Sequence, residues 1–312
     1  MTRDHRPAVI AIVGPTASGK SAFAVQIAKK FKGGVVSADS RQVYRGLDIG
    51  TGKIRKCEMK GIPHHLIDIR NPREQYSAAE FKEDAEKKIK EIFLRGNIPV
   101  VAGGTGFWID SLLFGLSIPE IPPNPALRKK LEKKPVEELF GILKKLDPNR
   151  ARSIDKKNPR RIIRAIEIAQ RLGRVPPIKK KSAYRVLWIG TKQNKHILLQ
   201  RIHTRLLTRA RNGLFEEGKK LRNRGLPWKR FYELGLEYRY IADVLQKKQS
   251  KKNALQELER AIGHYARRQL VWFKRNKGIH WVKNNREAER LVRTFLTNSP
   301  ALQGRFRSTG TV

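Results

Sequence analysis

The sequence predicts an α/β fold: a parallel sheet flanked by helices, with a small all-helical domain inserted into it. Three observations predict it. Apolar runs alternate with stretches of helical spacing, the grammar of a doubly wound sheet. A glycine-rich loop joins the first apolar run to the first helical stretch. Two proline-dense breaks then bracket a stretch whose patterning is helical throughout. The 312 residues suit about two domains of roughly 150 residues each.

Ala8–Val13 is a continuous apolar run with β-branched members and reads as a buried parallel strand. Between Ser18 and Lys32, Phe23, Ile27 and Phe31 fall four apart on one helical face, with the helix opening at Lys20. Val35-Val36 makes a second strand, running into Ser37-Ala38-Asp39-Ser40. Positions 78–94 read as a helix with Phe81, Ala85, Ile89, Ile92 and Phe93 apolar, and positions 98–102 as a third strand ending in Gly103-Gly104-Thr105-Gly106. The texture changes at Ile118-Pro119-Glu120-Ile121-Pro122-Pro123-Asn124-Pro125, which no helix or central strand can include. Helical stretches at 125–133, 136–145 and 160–172 follow, up to Gly173-Arg174-Val175-Pro176-Pro177. The expected division is therefore a first core segment 1–118, a helical insertion 119–182 and a second core segment 183–297. The last segment has strands at 186–189 and 279–282 and long basic helices at 195–222 and 253–275. The tail 298–312 lacks apolar periodicity and reads as loose.

Lys and Arg number 68 against 28 Asp and Glu, a formal charge of +40, while 39% of residues are hydrophobic. That apolar content excludes a wholly disordered polyelectrolyte. The single cysteine, Cys57, excludes an intramolecular disulfide and a Cys-built zinc site. The expected compartment is the reducing cytoplasm. No run approaches the ~20 apolar residues that cross a bilayer, so no membrane association is expected. The excess charge points to a polyanion, and nucleic acid is favoured because counterion release makes a basic surface adhere to phosphate backbones.

Gly14-Pro15-Thr16-Ala17-Ser18-Gly19-Lys20-Ser21 fits G-x-x-x-x-G-K-[ST], with a strand before it and a helix after it. Glycines let backbone amides close around phosphate oxygens at a helix N-terminus, Lys20 adds a point charge, and Ser21 is placed to hold Mg²⁺. The sheet is thus P-loop NTPase-like. A motor-type NTPase would carry an acidic residue at the end of an apolar strand, but the strand at 98–102 ends in Gly-Gly-Thr-Gly. Asp39 stands at the carboxyl end of the second strand, the edge where open α/β sheets bind ligands. It suits metal binding, general-base work or capping of its own turn. His64-His65 reads as loop ordering, with no third metal ligand nearby, and Trp272, Phe273 and Trp281 read as core.

Beyond Gly14–Ser21, the ordered segments Asp39–Tyr44, Asp48–Lys53, Gly61–Asp68, Tyr76–Phe81, Gly103–Gly106, Asn158–Ala165 and Arg201-Ile202-x-x-Arg205 carry a family resemblance. The chain resembles the bacterial tRNA dimethylallyltransferases, the tRNA isopentenyltransferase family, over positions 14 to about 275. The resemblance implies a monomer that moves a dimethylallyl group from dimethylallyl diphosphate to the N6 amine of adenosine 37 in the tRNA anticodon stem-loop. It implies a diphosphate site at Gly14, Pro15, Thr16, Ala17, Ser18, Gly19, Lys20 and Ser21, with Mg²⁺ as cofactor and Arg205 as an opposing clamp. Catalytic roles fall to Asp39, Thr105, Arg205 and Lys20. tRNA contacts fall to Asp39, Ser40, Arg41, Gln42, Thr105, Arg128, Arg160, Arg161, Ile162, Ile163 and Arg164. The chain departs from the family pattern at Gly263-His264, where a Thr-Arg pair is missing, at Leu236-Glu237-Tyr238, where Tyr-Lys-Glu is usual, and at Trp108. Other readings are prenylation of free adenine nucleotides, a P-loop small-molecule kinase, and an RNA binder without catalysis. The insertion and the positive charge favour a macromolecular acceptor.

Overall fold

In the computed structural model, which describes residues 6–297, one six-stranded sheet runs parallel throughout and carries helices on both faces. Its strands are β1 (Ala8–Val13), β2 (Gly33–Ala38), β3 (His64–His65), β4 (Ile98–Gly103), β5 (Arg185–Thr191) and β6 (His280–Val282). They lie in the order β3-β2-β4-β1-β5-β6. The predicted α/β, P-loop-like sheet is the fold observed. The loose tail expected at 298–312 lies outside the described residues. Among the described residues no helix is long and apolar enough to cross a membrane.

Register positions the site. Gly103 pairs with Val13 on one side and Ala38 on the other, so β1, β4 and β2 end at one level. Their three following loops therefore begin side by side at the carboxyl edge. Val13 also pairs with Gly190, which brings Thr191 beside the first loop. All six β1 residues are buried, and alternate ones feed opposite cores. Val9, Ala11 and Val13 pack with Phe81 and Ile89, while Ala8, Ile10 and Ile12 pack with Phe23, Ile27 and Val292.

The first helices are α1 (Lys20–Lys30), α2 (Lys56–Met59), α3 (Ala78–Leu94) and α4 (Gly106–Leu113). Ser77 opens α3 with a reciprocal capping box: its hydroxyl accepts the Glu80 amide at 3.2 Å, and Glu80 accepts the Ser77 amide at 2.9 Å. Trp108 of α4 stacks on Phe81 of α3 with ring centroids 4.5 Å apart, so the aromatic change at this position is absorbed in the core.

A second compact unit spans Leu116–Lys181. An antiparallel bridge between Leu116 and Lys180 closes its ends, so the boundary falls slightly before the proline cluster. It contains α5 (Pro125–Leu131), α6 (Val136–Leu146), α7 (Pro148–Ser153) and α8 (Pro159–Leu172). Asn124, Asp147 and Asn158 cap α5, α7 and α8, each followed by a proline at the first helical position. Leu131, Leu139, Leu143, Ile162 and Ile166 form its core.

The larger unit then continues through α9 (Lys195–Arg211), α10 (Leu214–Asn223), α11 (Trp228–Leu234), α12 (Leu236–Leu245), α13 (Lys251–Lys274) and α14 (Asn285–Thr297). The single basic helix expected at 195–222 is two helices. Asn212-Gly213 separates them, with Gly213 at φ 99°, a left-handed conformation that glycine adopts without strain. Downstream of the break, Glu217 accepts the amides of Asp48, Ile49 and Gly50 at 2.8, 2.6 and 3.0 Å, and the Tyr238 hydroxyl at 2.8 Å. One buried carboxylate thus fixes the loop before α2. Glu217→Ala is expected to cost about 3 kcal/mol by stranding those donors, read as a lower urea midpoint, with Glu217→Gln intermediate. An unchanged midpoint for the alanine variant would contradict this.

Candidate active site

Gly14–Ser21 turns from β1 into α1. A Cβ at Gly14 would collide with the Thr191 hydroxyl, and Gly19 adopts φ 89° with open space where a Cβ would point. Among the described residues no side chain caps α1, which leaves its first amides free for an anion. Lys20 folds back along the loop and donates to the Pro15 carbonyl at 2.6 Å. Ser18 turns inward: its buried hydroxyl shares a 2.6 Å hydrogen bond with that of Thr191. Its side chain therefore braces the loop against β5 and its place in a diphosphate shell is limited to the backbone. Ser21 is exposed and lines a cavity of about 210 Å³ with Gly52, Ile54, Glu58 and Arg205 among its walls.

Asp39, Ser40, Arg41 and Gln42 follow β2, and Thr105 follows β4, one strand away. The Thr105 hydroxyl accepts the Ser40 amide at 3.0 Å, and the Thr105 amide donates to Ala38 at 3.2 Å. Thr105 thus ties the two strand exits together. Oδ1 of Asp39 accepts the amides of Arg41 at 2.9 Å and Gln42 at 3.3 Å. The capping reading of Asp39 is met by this one oxygen. Oδ2 has no hydrogen-bond partner among the described residues.

Helices α9, α12 and α13 contribute charge to the same place. Arg205 and Arg209 lie one turn apart on α9. Arg209 donates to the Gly50 carbonyl at 3.2 Å and pairs with Glu237 at 3.3 Å. Burial pushes the Arg205 guanidinium below the ordinary arginine range; Arg209 adds to this and Glu58 opposes it. Burial likewise pushes the Lys20 ammonium down to about 8, with the Asp39 charge working against it and Arg205 with it. Lys20, Asp39 and Arg205 therefore share one electrostatic environment. Burial pushes the Glu237 carboxyl and Tyr265 hydroxyl up; Asp39 adds to both shifts, while Arg209 opposes that of Glu237. Among the described residues no group of three or more His, Cys, Asp or Glu is arranged for a metal ion. His64 and His65 form the short edge strand β3.

Within the smaller unit, the candidates divide. Arg160 and Arg161 are exposed at the start of α8. Ile162 and Ile163, named as RNA contacts, are buried in that unit's core, because the helix turns this side toward Leu139 and Leu143. They are packing residues. Arg128 grips Glu167 with two bonds of 2.7 Å, and Arg164 joins at 3.1 Å while donating to the Ile121 carbonyl at 2.7 Å. Burial pushes the Glu167 carboxyl up, but the bonds from Arg128, the Asn124 amide and Arg164 outweigh it and hold the group low. Arg128 and Arg164 thus neutralise a buried carboxylate before they offer anything outward.

A family model described as IPP transferase matches residues 42–276, three quarters of the chain. The chain belongs to this family. The tRNA dimethylallyltransferase of Thermomicrobium roseum is 43% identical over 285 residues, spanning 89% of this chain and 87% of that one. That of Staphylococcus epidermidis is 37% identical over 309 residues, spanning 95% and 93%. The full-length tRNA isopentenylpyrophosphate transferase structure from Bacillus halodurans superposes with a TM-score of 0.70 at 34% identity, covering 96% of this chain and 97% of that one. A eukaryotic dimethylallyltransferase captured acting on tRNA gives 0.77 at 25% identity, over 94% and 80%.

Sequence reasoning gave no site role to Arg209, Glu217 or Gln269, and met Glu237 only as a departure from the family pattern. Glu217 is an acid inside a basic stretch, which is the only local signal it gave. The low Lys20 value makes a prediction. Up to pH 8 the ammonium is already charged; above it, binding an anion must bring a proton with it. Diphosphate affinity should fall with pH above about 8, by up to roughly tenfold per unit for one linked proton. Lys20→Arg, whose charge persists, should flatten that limb in a titration. An identical limb in both proteins would contradict the assignment.

Proposed function

We propose that this protein transfers the dimethylallyl group of dimethylallyl diphosphate to the N6 amine of adenosine 37 in tRNA, releasing diphosphate and forming N6-isopentenyladenosine. The observation that carries this reading is that Lys20 and Asp39 follow the level ends of β1 and β2 while Arg205 of α9 acts on the Lys20 charge and lines one cavity with Ser21. The names of the relatives supply the donor and the acceptor polymer.

Each residue has a physical task. The free amides at the start of α1 and the Lys20 ammonium hold the diphosphate from one side. Arg205, which lines the same cavity as Ser21, grips it with its guanidinium and neutralises charge that grows as the C–O bond breaks. The adenine amine is a poor nucleophile because its lone pair is delocalised into the ring. Asp39, steadied through Oδ1 by two amides, accepts the N6 proton on Oδ2 as the new C–N bond forms. The base leaves its stack to reach the edge, which costs least in a single-stranded loop. Thr105 and Gln42 face the nucleotide side. Exposed Arg160 and Arg161 position the anticodon stem through phosphates without reading sequence.

The oxygen donors fit Mg²⁺. Ser21 is exposed on the cavity that Glu58 also lines, and a diphosphate supplies the remaining hard oxygens. When bound there, the ion would offset diphosphate charge. The protein acts as a cytoplasmic monomer in this reading.

Labelled dimethylallyl diphosphate, offered with an anticodon stem-loop or with free AMP, tests the proposal; label should enter the stem-loop. Entry into AMP alone, or no transfer, would overturn it. Asp39→Asn keeps an Oδ1 acceptor for the turn while removing the base. It should lower turnover by roughly 10²–10⁴-fold and spare RNA affinity; a large loss of binding would contradict the role.

A further inference from the structure

Gln269, one turn beyond Tyr265 on α13, is buried and uses both ends of its amide on the two chemical loops. Its Oε1 accepts the Thr16 amide at 2.7 Å, inside the phosphate loop. Its Nε2 donates to the Gly104 carbonyl at 2.9 Å. Gly104 precedes Thr105, whose hydroxyl receives the Ser40 amide beside Asp39. Three hydrogen bonds and the Gly104–Thr105 peptide link therefore connect the donor loop to the acceptor turn. Only one orientation of the amide satisfies both partners, because one offers N–H and the other C=O. The approach is close enough that a Cβ at Gly104 would collide with Nε2. A carboxylate at 269 would keep the first bond and face the Gly104 oxygen with another acceptor.

We propose that Gln269 is a positioning residue that couples the two loops, so that donor and RNA each bind more tightly once the other is in place. A group that orders one loop settles the amide, and the settled amide orders the other loop. Coupling of this kind is reciprocal. The proposal rests on the reading of Gly14–Ser21 as the donor site and of the Asp39–Thr105 turn as the acceptor site.

The test measures binding of an anticodon stem-loop with and without the non-reactive dimethylallyl thiolodiphosphate, both with Mg²⁺ present. In the wild-type protein the analogue should tighten RNA binding by at least roughly fivefold, the lower range of measured couplings. The RNA should tighten the analogue by the same factor. In Gln269→Glu and in Gly104→Ala the coupling factor, the ratio of each ligand's affinity with and without the other, should fall toward one. Thermal unfolding of both variants is followed in parallel, and Gln269→Glu carries the test if Gly104→Ala does not fold. An unchanged factor in folded variants, or no coupling in the wild type, would overturn the proposal. Prenyl transfer by the wild-type protein is measured alongside. Transfer without coupling defeats only the role of Gln269, whereas coupling without transfer defeats only the proposed reaction.

Discussion

Lys20 and Arg205 are two cations held in one electrostatic environment, and Arg205 lines a cavity with Ser21, the residue that follows Lys20. Lys20 and Arg205 are each disfavoured by burial, and Arg205 adds to the cost at Lys20. Asp39 relieves the first and Glu58 the second, but neither cancels the balance. A bound anion gives each cation a partner, and that attraction offsets the burial cost and the repulsion between them. Glu217 fixes the 48–50 loop, just before Gly52 of the cavity wall, and Arg209 clamps it again through Gly50.

Sheet register explains why the carboxylate joins them. Because β4 lies between β1 and β2 and all three end level, the phosphate loop and Asp39 are separated by only one strand. Gly103 makes that spacing possible, since a Cβ there would run into the Ala38 backbone. The usual Lys of the family pattern becomes Glu237 here. Its charge pairs with Arg209, so this departure is compensated inside the site. The neighbouring Tyr238 is similarly absorbed, as a hydrogen-bond donor to Glu217.

Much of this was legible in the amino-acid order. Buried parallel strands require unbroken apolar runs, and β1 and β4 announce themselves that way. Loops that must close on phosphate require glycine, which marks Gly14–Ser21. Shorter pieces gave no period to read: β3 has two residues and α2 has four. The split between α9 and α10 was hidden because basic residues continue across Gly213, and a lone glycine is tolerated within helical patterns. Ile162 and Ile163 show the opposite failure. Likeness of a segment carries no side-chain direction, whereas helical spacing from Ile162 to Ile166 points inward. Gln269 required tertiary knowledge, because nothing in its neighbourhood reveals that Thr16 and Gly104 converge on it.

The most direct measurement is a crystal structure with dimethylallyl thiolodiphosphate and an anticodon stem-loop bound together. The account predicts the diphosphate between the Gly14–Ser21 amides and Arg205, with an extruded adenine amine within hydrogen-bond reach of Asp39 Oδ2. Arg205 turned away onto RNA phosphate, or an adenine far from Asp39, would contradict it.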